Sequence, residues 1–409
     1  MIISHKIFND PVYGFITIPY GILFDLVEHP WFQRLRRIKQ VGMTHYVYPG
    51  ALHTRFHHAL GALHLLTQAV DTLRSKGVEI SPEEAEAASI AILLHDIGHG
   101  PFSHALEHTL VNIPHEALSV LFMEHLDKKF GGKLALALDV FCDRYPRHFL
   151  HQLISGQLDM DRMDYLNRDS FYTGVSEGVI GYDRIIKMLT VQDGDLVVEE
   201  KGIYSIEKFL IARRIMYWQV YLHKTSLGAE QLLIKTLSRA RALALRGHEL
   251  PVSEDLGFFL YNTSSTAELM ENQDTLLRHY SALDDVDIMA AMKRFRNYPD
   301  PLLSFLARSL LDRRLFRVEV RNQPFDQDMI RDLRGQIMRH FSLTAEEADF
   351  LLIQVAETNT AYSTAREEIK VLMKDRRVVP ISLISEHNIQ DRVIEKYFLC
   401  YPKGLSPSG

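Results

Sequence analysis

Apolar positions recur every three or four residues through most of the chain, which is the period of a helix packed on one face. Residues 57–76 hold this pattern up to Lys76-Gly77, a helix stop. In SPEEAEAASIAILLHDIG (81–98), Ser81 stands as N-cap, Pro82 at the first helical position and Glu84 three residues after the cap. Residues 115–130 follow Pro114 and end at Gly131-Gly132. The same period predicts helices over 147–156, 159–172, 205–245, 265–273, 285–311 and 327–357. Alternation with period two is rarer. KMLTVQDGDLVVEE (187–200) reads as two short strands about Asp-Gly, LFRVEV (315–320) as one strand, and EEIKVLMKDRRVVPISLIS (367–385) as two strands about a charged turn. The expected fold is mainly α. A helical body over 1–312 carries a short β-hairpin insertion near 187–200, and a small α+β lobe follows over 313–409.

Composition narrows the class without changing that picture. With 46% apolar and 24% charged residues over 409 positions, the chain has enough apolar mass for a large core. Lys and Arg number 46 against 52 Asp and Glu, a net charge of −6, which argues against duplex nucleic acid as the main partner. Two distant cysteines, Cys142 and Cys400, make no disulfide framework and point to a reducing compartment. The first residues lack a basic-then-apolar leader, and the longest apolar run, ASIAILL, is far too short for a membrane span. A cytoplasmic globular protein is the expectation.

Histidine then changes the picture. Eleven of the 20 histidines lie between His45 and His125. His95 and Asp96 are adjacent, so on a helix their side chains project about 100° apart and can reach one ion between them. An imidazole and a carboxylate suit Mn, Fe, Co, Ni, Zn or Mg, although an isolated pair of this kind more often forms a buried hydrogen bond. HTRFHH (53–58) opens one helix, and LDMDRMDY (158–165) places Asp159, Asp161 and Asp164 at the start of another. Taken alone, those carboxylates read as helix capping.

LHTRFHHALG, LHDIGHGPFSH, His115-Glu116 and DMDRMDYLNRD, in that order, resemble the HD-domain phosphohydrolase superfamily in its deoxynucleoside triphosphate triphosphohydrolase branch. The resemblance runs over roughly residues 25–235 and implies a helical HD-domain core. It places one divalent metal ion on His58, His95, Asp96 and Asp161. It puts His99, His104, Glu107 and His115 at the phosphates as acid–base or orienting groups. His99 is four residues beyond His95, which on a continuing helix is the same face. Arg55, Arg162 and Lys224 fall at phosphate positions, with Arg162 where a lysine is usual. Gln40, Val41, Tyr165, Asp169, Arg213, Tyr217, Tyr221 and His223 fall at substrate positions. Val41 replaces a leucine and Tyr217 a histidine. Tyr221 is the residue expected to exclude a 2′-hydroxyl, by leaving it neither room nor a buried partner.

The resemblance also places an activating nucleotide on Glu28, Gln33 and Arg36 in a homo-oligomer, dimer or tetramer. Read alone, EHPWFQRLRRIKQ (28–40) is a solvated basic face. The implied reaction is hydrolysis of a dNTP to deoxynucleoside and inorganic triphosphate. A different HD nucleotidase or phosphodiesterase is the first alternative. Alarmone hydrolases, however, carry Glu-Asp where His99-Gly100 stands, and cyclic-dinucleotide enzymes carry a Gly-Tyr-Pro that is absent here. An inert nucleotide sensor or single-strand nucleic-acid binder is the second.

Overall fold

The computed structural model describes residues 5–103, 107–360, 368–385 and 393–405. It opens on an antiparallel hairpin, β1 (His5–Asp10) and β2 (Gly14–Pro19), which the helical periodicity does not announce. Asp10 makes the turn by accepting the N–H groups of Val12 and Tyr13 at 2.9 and 3.0 Å. The short helices α1 (Ile22–Glu28) and α2 (Pro30–Gln33) lead into irregular chain. Next come α3 (Arg55–Ser75) and α4 (Pro82–Leu94). The Ser81/Glu84 capping box read in the sequence starts α4, and a Thr54/His57 box starts α3.

After α5 (Glu107–Leu110), α6 (His115–Lys129), α7 (Ala135–Phe141) and α8 (His148–Gln152) comes α9 (Met160–Thr173). Asp159 caps α9, and Gly174 ends it at φ 74°, a left-handed conformation that glycine adopts freely. The helix α10 (Tyr182–Met188) leads to the expected hairpin, β3 (Leu189–Gln192) and β4 (Asp195–Glu199).

Three expected helices are corrected. The stretch 205–245 is two helices, α11 (Ile203–Met216) and α12 (Lys224–Leu245). Between them residues 217–221 widen into a π turn, and the His223 side chain accepts the N–H of Thr225 at 3.2 Å to start the second helix. After α13 (Glu254–Tyr261), α14 (Thr266–Glu271) and α15 (Gln273–Ala282), the stretch 285–311 is also two helices, α16 (Asp285–Phe295) and α17 (Pro301–Leu311). Pro301 keeps its predecessor out of helical geometry, and Asp300 caps Leu303 N–H at 2.7 Å.

The third correction lies in the C-terminal lobe, which holds β5 (Arg317–Arg321), α18 (Gln327–Phe341), α19 (Ala345–Ala348), β6 (Ile353–Thr360), β7 (Lys370–Leu372), β8 (Val378–Pro380) and β9 (Val393–Tyr401). Helix was expected through 357, but Ile353 onward is strand. Pairing with β9 along its whole length outweighs the local period there.

The architecture is mainly α with the small α+β lobe and the β-hairpin insertion. In the lobe β9 lies between β5 and β6, antiparallel to both. The second sheet runs β3-β4-β7-β8, with β4 and β7 parallel at Val198↔Val371 and Glu199↔Leu372. Strands from both sides of residue 312 therefore share one sheet. The core of the helical body is α3 packed on α4 and α9, with α7 on α4. No helix of the described residues is long and apolar enough to cross a membrane.

Candidate active site

Three segments meet on one point. His58 lies in the first turn of α3, His95 and Asp96 at the end of α4, and Asp161 in the first turn of α9. His58 Nε2 is 3.2 Å from His95 Nε2, 3.0 Å from Asp161 Oδ1 and 3.6 Å from Asp96 Oδ2. His95 Nε2 is 3.4 Å from Asp96 Oδ1 and 3.5 Å from Asp161 Oδ1. Both Nδ1 atoms are taken: that of His58 lies 2.7 Å from Asp164 Oδ2 and that of His95 2.6 Å from the Ile92 carbonyl. A proton on Nδ1 turns the Nε2 lone pair toward the cluster, the arrangement of an imidazole that ligates a metal.

The electrostatics agree. Burial works to lower the His58 pKa, but the carboxylates of Asp161, Asp164 and Asp96 override it and lift the group to about 10. Burial likewise opposes ionisation of Asp96, and Arg55, His95 and His99 hold it well below the usual carboxylate range. A point that favours a proton so strongly also favours a divalent cation, and two imidazoles with two carboxylates fit one.

Behind the cluster runs a buried chain that sequence reasoning missed. Arg168 donates to Asp164 at 2.9 and 3.0 Å and to Asp10 at 2.7 Å. Only tertiary contact joins β1 to α9 here. The one signal was Asp164 itself, on the same helical face as Arg168.

The cluster borders a cavity of about 690 Å³, within the range of small-molecule sites. Of the residues expected around the substrate, Gln40, Val41, Arg55, Arg162, Tyr165, Asp169, Arg213, Tyr217 and Tyr221 line it, as do Asp96, Asp161, His99 and His115. Arg55 donates to Ser103 Oγ at 2.7 Å and pairs with Asp96. Arg162 donates to the Gly156 carbonyl at 2.7 Å and Arg213 to Gln157 at 3.1 Å. The Tyr221 hydroxyl donates to Asp169 Oδ2 at 2.7 Å, and His53 Nε2 lies 2.6 Å from the other oxygen. His53 belongs to the same HTRFHH motif but was not singled out.

The helix α4 ends at Leu94, so His99 does not continue its face. The chain turns instead and stacks the His99 ring on His115, with centroids 3.8 Å apart. Glu107 Oε1 lies 2.9 Å from His115 Nδ1 and accepts the His115 backbone N–H at 2.9 Å. His104 lies outside the described residues. His223 and Lys224 do not line the cavity. His223 caps α12 with its ring edge-on to Tyr48 at 6.0 Å, and Lys224 is exposed.

Nor is 28–40 a solvated basic face throughout. Arg34 is fully buried and donates to the carbonyls of Leu283, Ile97 and His99. Arg36 is exposed, sits 3.6 Å over the Phe56 ring and donates to Gln33 at 2.8 Å; partial burial lowers its pKa, with Glu28 working against that shift.

The HD-domain pattern matches residues 55–169, and the HD-associated region matches 180–256. The uncharacterized protein YwfO of Bacillus subtilis is 34% identical over 321 residues, which is 77% of this chain and 72% of that one. This chain belongs to the HD-domain phosphohydrolases. Such domains are metal-dependent hydrolases, and His58, His95 and Asp161 offer ligand atoms that lie within 4.8 Å of one another. A phosphohydrolase from Bacteroides thetaiotaomicron superposes with a TM-score of 0.95 at 51% identity, covering 98% of this chain and all of that one. The human deoxynucleoside triphosphate triphosphohydrolase SAMHD1 is 30% identical over 264 residues, 54% of this chain. This HD-domain protein spans less than half of SAMHD1, 42% of its length.

Proposed function

We propose that this HD phosphohydrolase cleaves a deoxynucleoside triphosphate to the deoxynucleoside and inorganic triphosphate, with one divalent ion held by His58, His95, Asp96 and Asp161. The observation that carries the reading is the shared border. Asp96 and Asp161 face the same cavity as Arg55, Arg162, Tyr165 and Tyr221. Cations for phosphates and aromatic rings for a sugar thus adjoin the metal ligands. The naming of SAMHD1 as a dNTP triphosphohydrolase supports the same substrate class.

A divalent ion held by His58, His95, Asp96 and Asp161 would supply Lewis-acid charge to the phosphates. Arg55 and Arg162 offset the remaining negative charge, each with donors matched to phosphate oxygens. Water attacks the α-phosphorus and the bond to the 5′-oxygen breaks. His115, whose Nδ1 is held by Glu107, gives the 5′-oxygen its proton. The triphosphate departs with the oxygen of the water. Tyr221, pinned through its hydroxyl to Asp169, sets the wall against a 2′-hydroxyl.

The test incubates metal-loaded protein with each dNTP, and with mixtures, in ¹⁸O-water. The expected products are ¹⁸O-labelled intact triphosphate and unlabelled deoxynucleoside. Stepwise release of orthophosphate, or label in the nucleoside, would overturn the reading.

A further inference from the structure

The cavity continues past the tyrosines, and its far end differs chemically from the metal end. Tyr165, whose phenol feels the charge of Arg162 and Asp161, lies 6.1 Å from Tyr221, which lies 6.4 Å from Tyr217 between ring centroids. Tyr217 in turn feels the charge of Glu357, a residue of β6 in the C-terminal lobe. On another wall stands Glu230 of α12, close to the backbone at Met43. A Cβ on Gly42 would stand 3.0 Å from Glu230 Oε1, so that carboxyl is pressed against the backbone. Gln40 presents a buried Oε1 that has no hydrogen-bond partner among the described residues. The hydrolysis derived above uses none of Glu230, Glu357 or Gln231, yet all three line the cavity. Arg55 and Arg162 stand with the metal ligands, and Glu230 and Glu357 are carboxyls of the same cavity outside that cluster. A nucleotide fits it with phosphates toward Arg55 and Arg162 and its base toward the acids.

We propose that Glu230 and Glu357 read the Watson–Crick edge of the base and select guanine, an assignment that rests on the dNTP reading above. Guanine presents two adjacent donors, N1–H and the N2 amino group, beside the acceptor O6. A carboxylate accepts two parallel N–H bonds, as it does from a guanidinium. Glu357, whose pKa burial raises, supplies that carboxylate in its ionised form. Burial, reinforced by the charge of Glu357, pushes Glu230 up to about 8, so at pH 7 it carries an O–H that can serve O6. Adenine and cytosine turn a ring-nitrogen acceptor toward the carboxylate, and thymine flanks its single N–H with carbonyls. Each leaves a polar group opposed by a like one, which is where a hydrogen-bonding pocket discriminates strongly.

The experiment measures kcat/KM on the Mn-loaded full chain for the four dNTPs and for dITP, which lacks the N2 amino group. GTP is held constant throughout so that any effector position is filled equally. Expected are a preference for dGTP of roughly tenfold or more over the other three, and a loss of about tenfold for dITP. Glu357→Gln should bring dGTP down to the level of dATP. Equal rates for the four bases, or a uniform loss in E357Q, would overturn the assignment. The dITP comparison needs no variant, so a folding defect in E357Q cannot mask the answer. Calorimetric binding of the four deoxynucleosides to metal-free protein separates the two readings. Deoxyguanosine bound more tightly, with no dNTP hydrolysed, sustains base selection and sinks the hydrolase reading. Deoxynucleosides bound alike, with dNTPs hydrolysed, does the reverse.

Discussion

His58 is aimed by what stands behind it. Asp164 takes its Nδ1 proton at 2.7 Å and is itself held by Arg168. Asp164→Asn should therefore weaken metal affinity by roughly 10–100-fold, as loss of a carboxylate behind a ligating imidazole does. It should also cost about 3 kcal/mol of stability or more, because Arg168 is left buried with Asp10 as its remaining carboxylate. Titration in metal buffers and urea denaturation measure the two effects, and an unchanged metal affinity would remove Asp164 from the site. Tyr221 is tested by its size. Tyr221→Ala should narrow the preference for dNTP over rNTP by about tenfold or more, read as a ratio of kcat/KM values. If that ratio does not move, the ring is not the wall.

At the scale of elements, α3 and α9 approach closely because residue 61 is glycine. A Cβ there would lie 2.0 Å from Asp164 Oδ1 and 2.2 Å from Arg168 Nη2. Gly61→Ala should cost about 3 kcal/mol, the sum of overpacking and a disturbed buried ion pair, and should lower metal content with it. Retained Tm and metal would show that the helices slide apart without penalty. The cap of α2 gives a pH signature. His29 Nδ1 accepts the Trp31 N–H at 3.3 Å while its Nε2 faces Lys129 Nζ at 2.7 Å. Burial and then Lys129 lower the His29 pKa from 6.5 to about 4. The unfolded chain thus binds the extra proton between those values, so the contribution is complete above pH 6.5 and fades as pH falls toward 4. With solvent screening allowed for, about 1–2 kcal/mol is at stake. His29→Asn keeps a capping oxygen without titrating, so the stability gap between wild type and variant should change across that window. A constant gap would exclude the cap.

The capping box of α4, the Asp-Gly hairpin and the HD cluster were legible because each is written in residues close together or in a motif with fixed order. The breaks at 217–223 and 296–300, the strand β6, the Asp10–Arg168 link and the place of Glu357 were not. Each depends on partners more than thirty residues away or on a local cap competing with an unbroken period.

At the scale of the whole molecule, Glu28, Gln33 and Arg36 lie together outside the lining of the cavity, and we propose their surface as the seat of an activating nucleotide in a homo-oligomer. Rates should then rise sigmoidally with dNTP, respond to added guanine nucleotides, and lose that response in Arg36→Ala. Hyperbolic rates indifferent to GTP would end the proposal. The parallel pairing of β4 with β7 bears on how substrate gets in. That seam is reinforced where Lys370 pairs with Asp195 and where Glu200 accepts the Lys374 N–H at 2.9 Å. Swinging the lobe away as a door would tear main-chain bonds on every turnover. Traffic should pass through a mouth of constant width, and amide exchange in 196–199 and 370–372 should be equally slow with and without nucleotide.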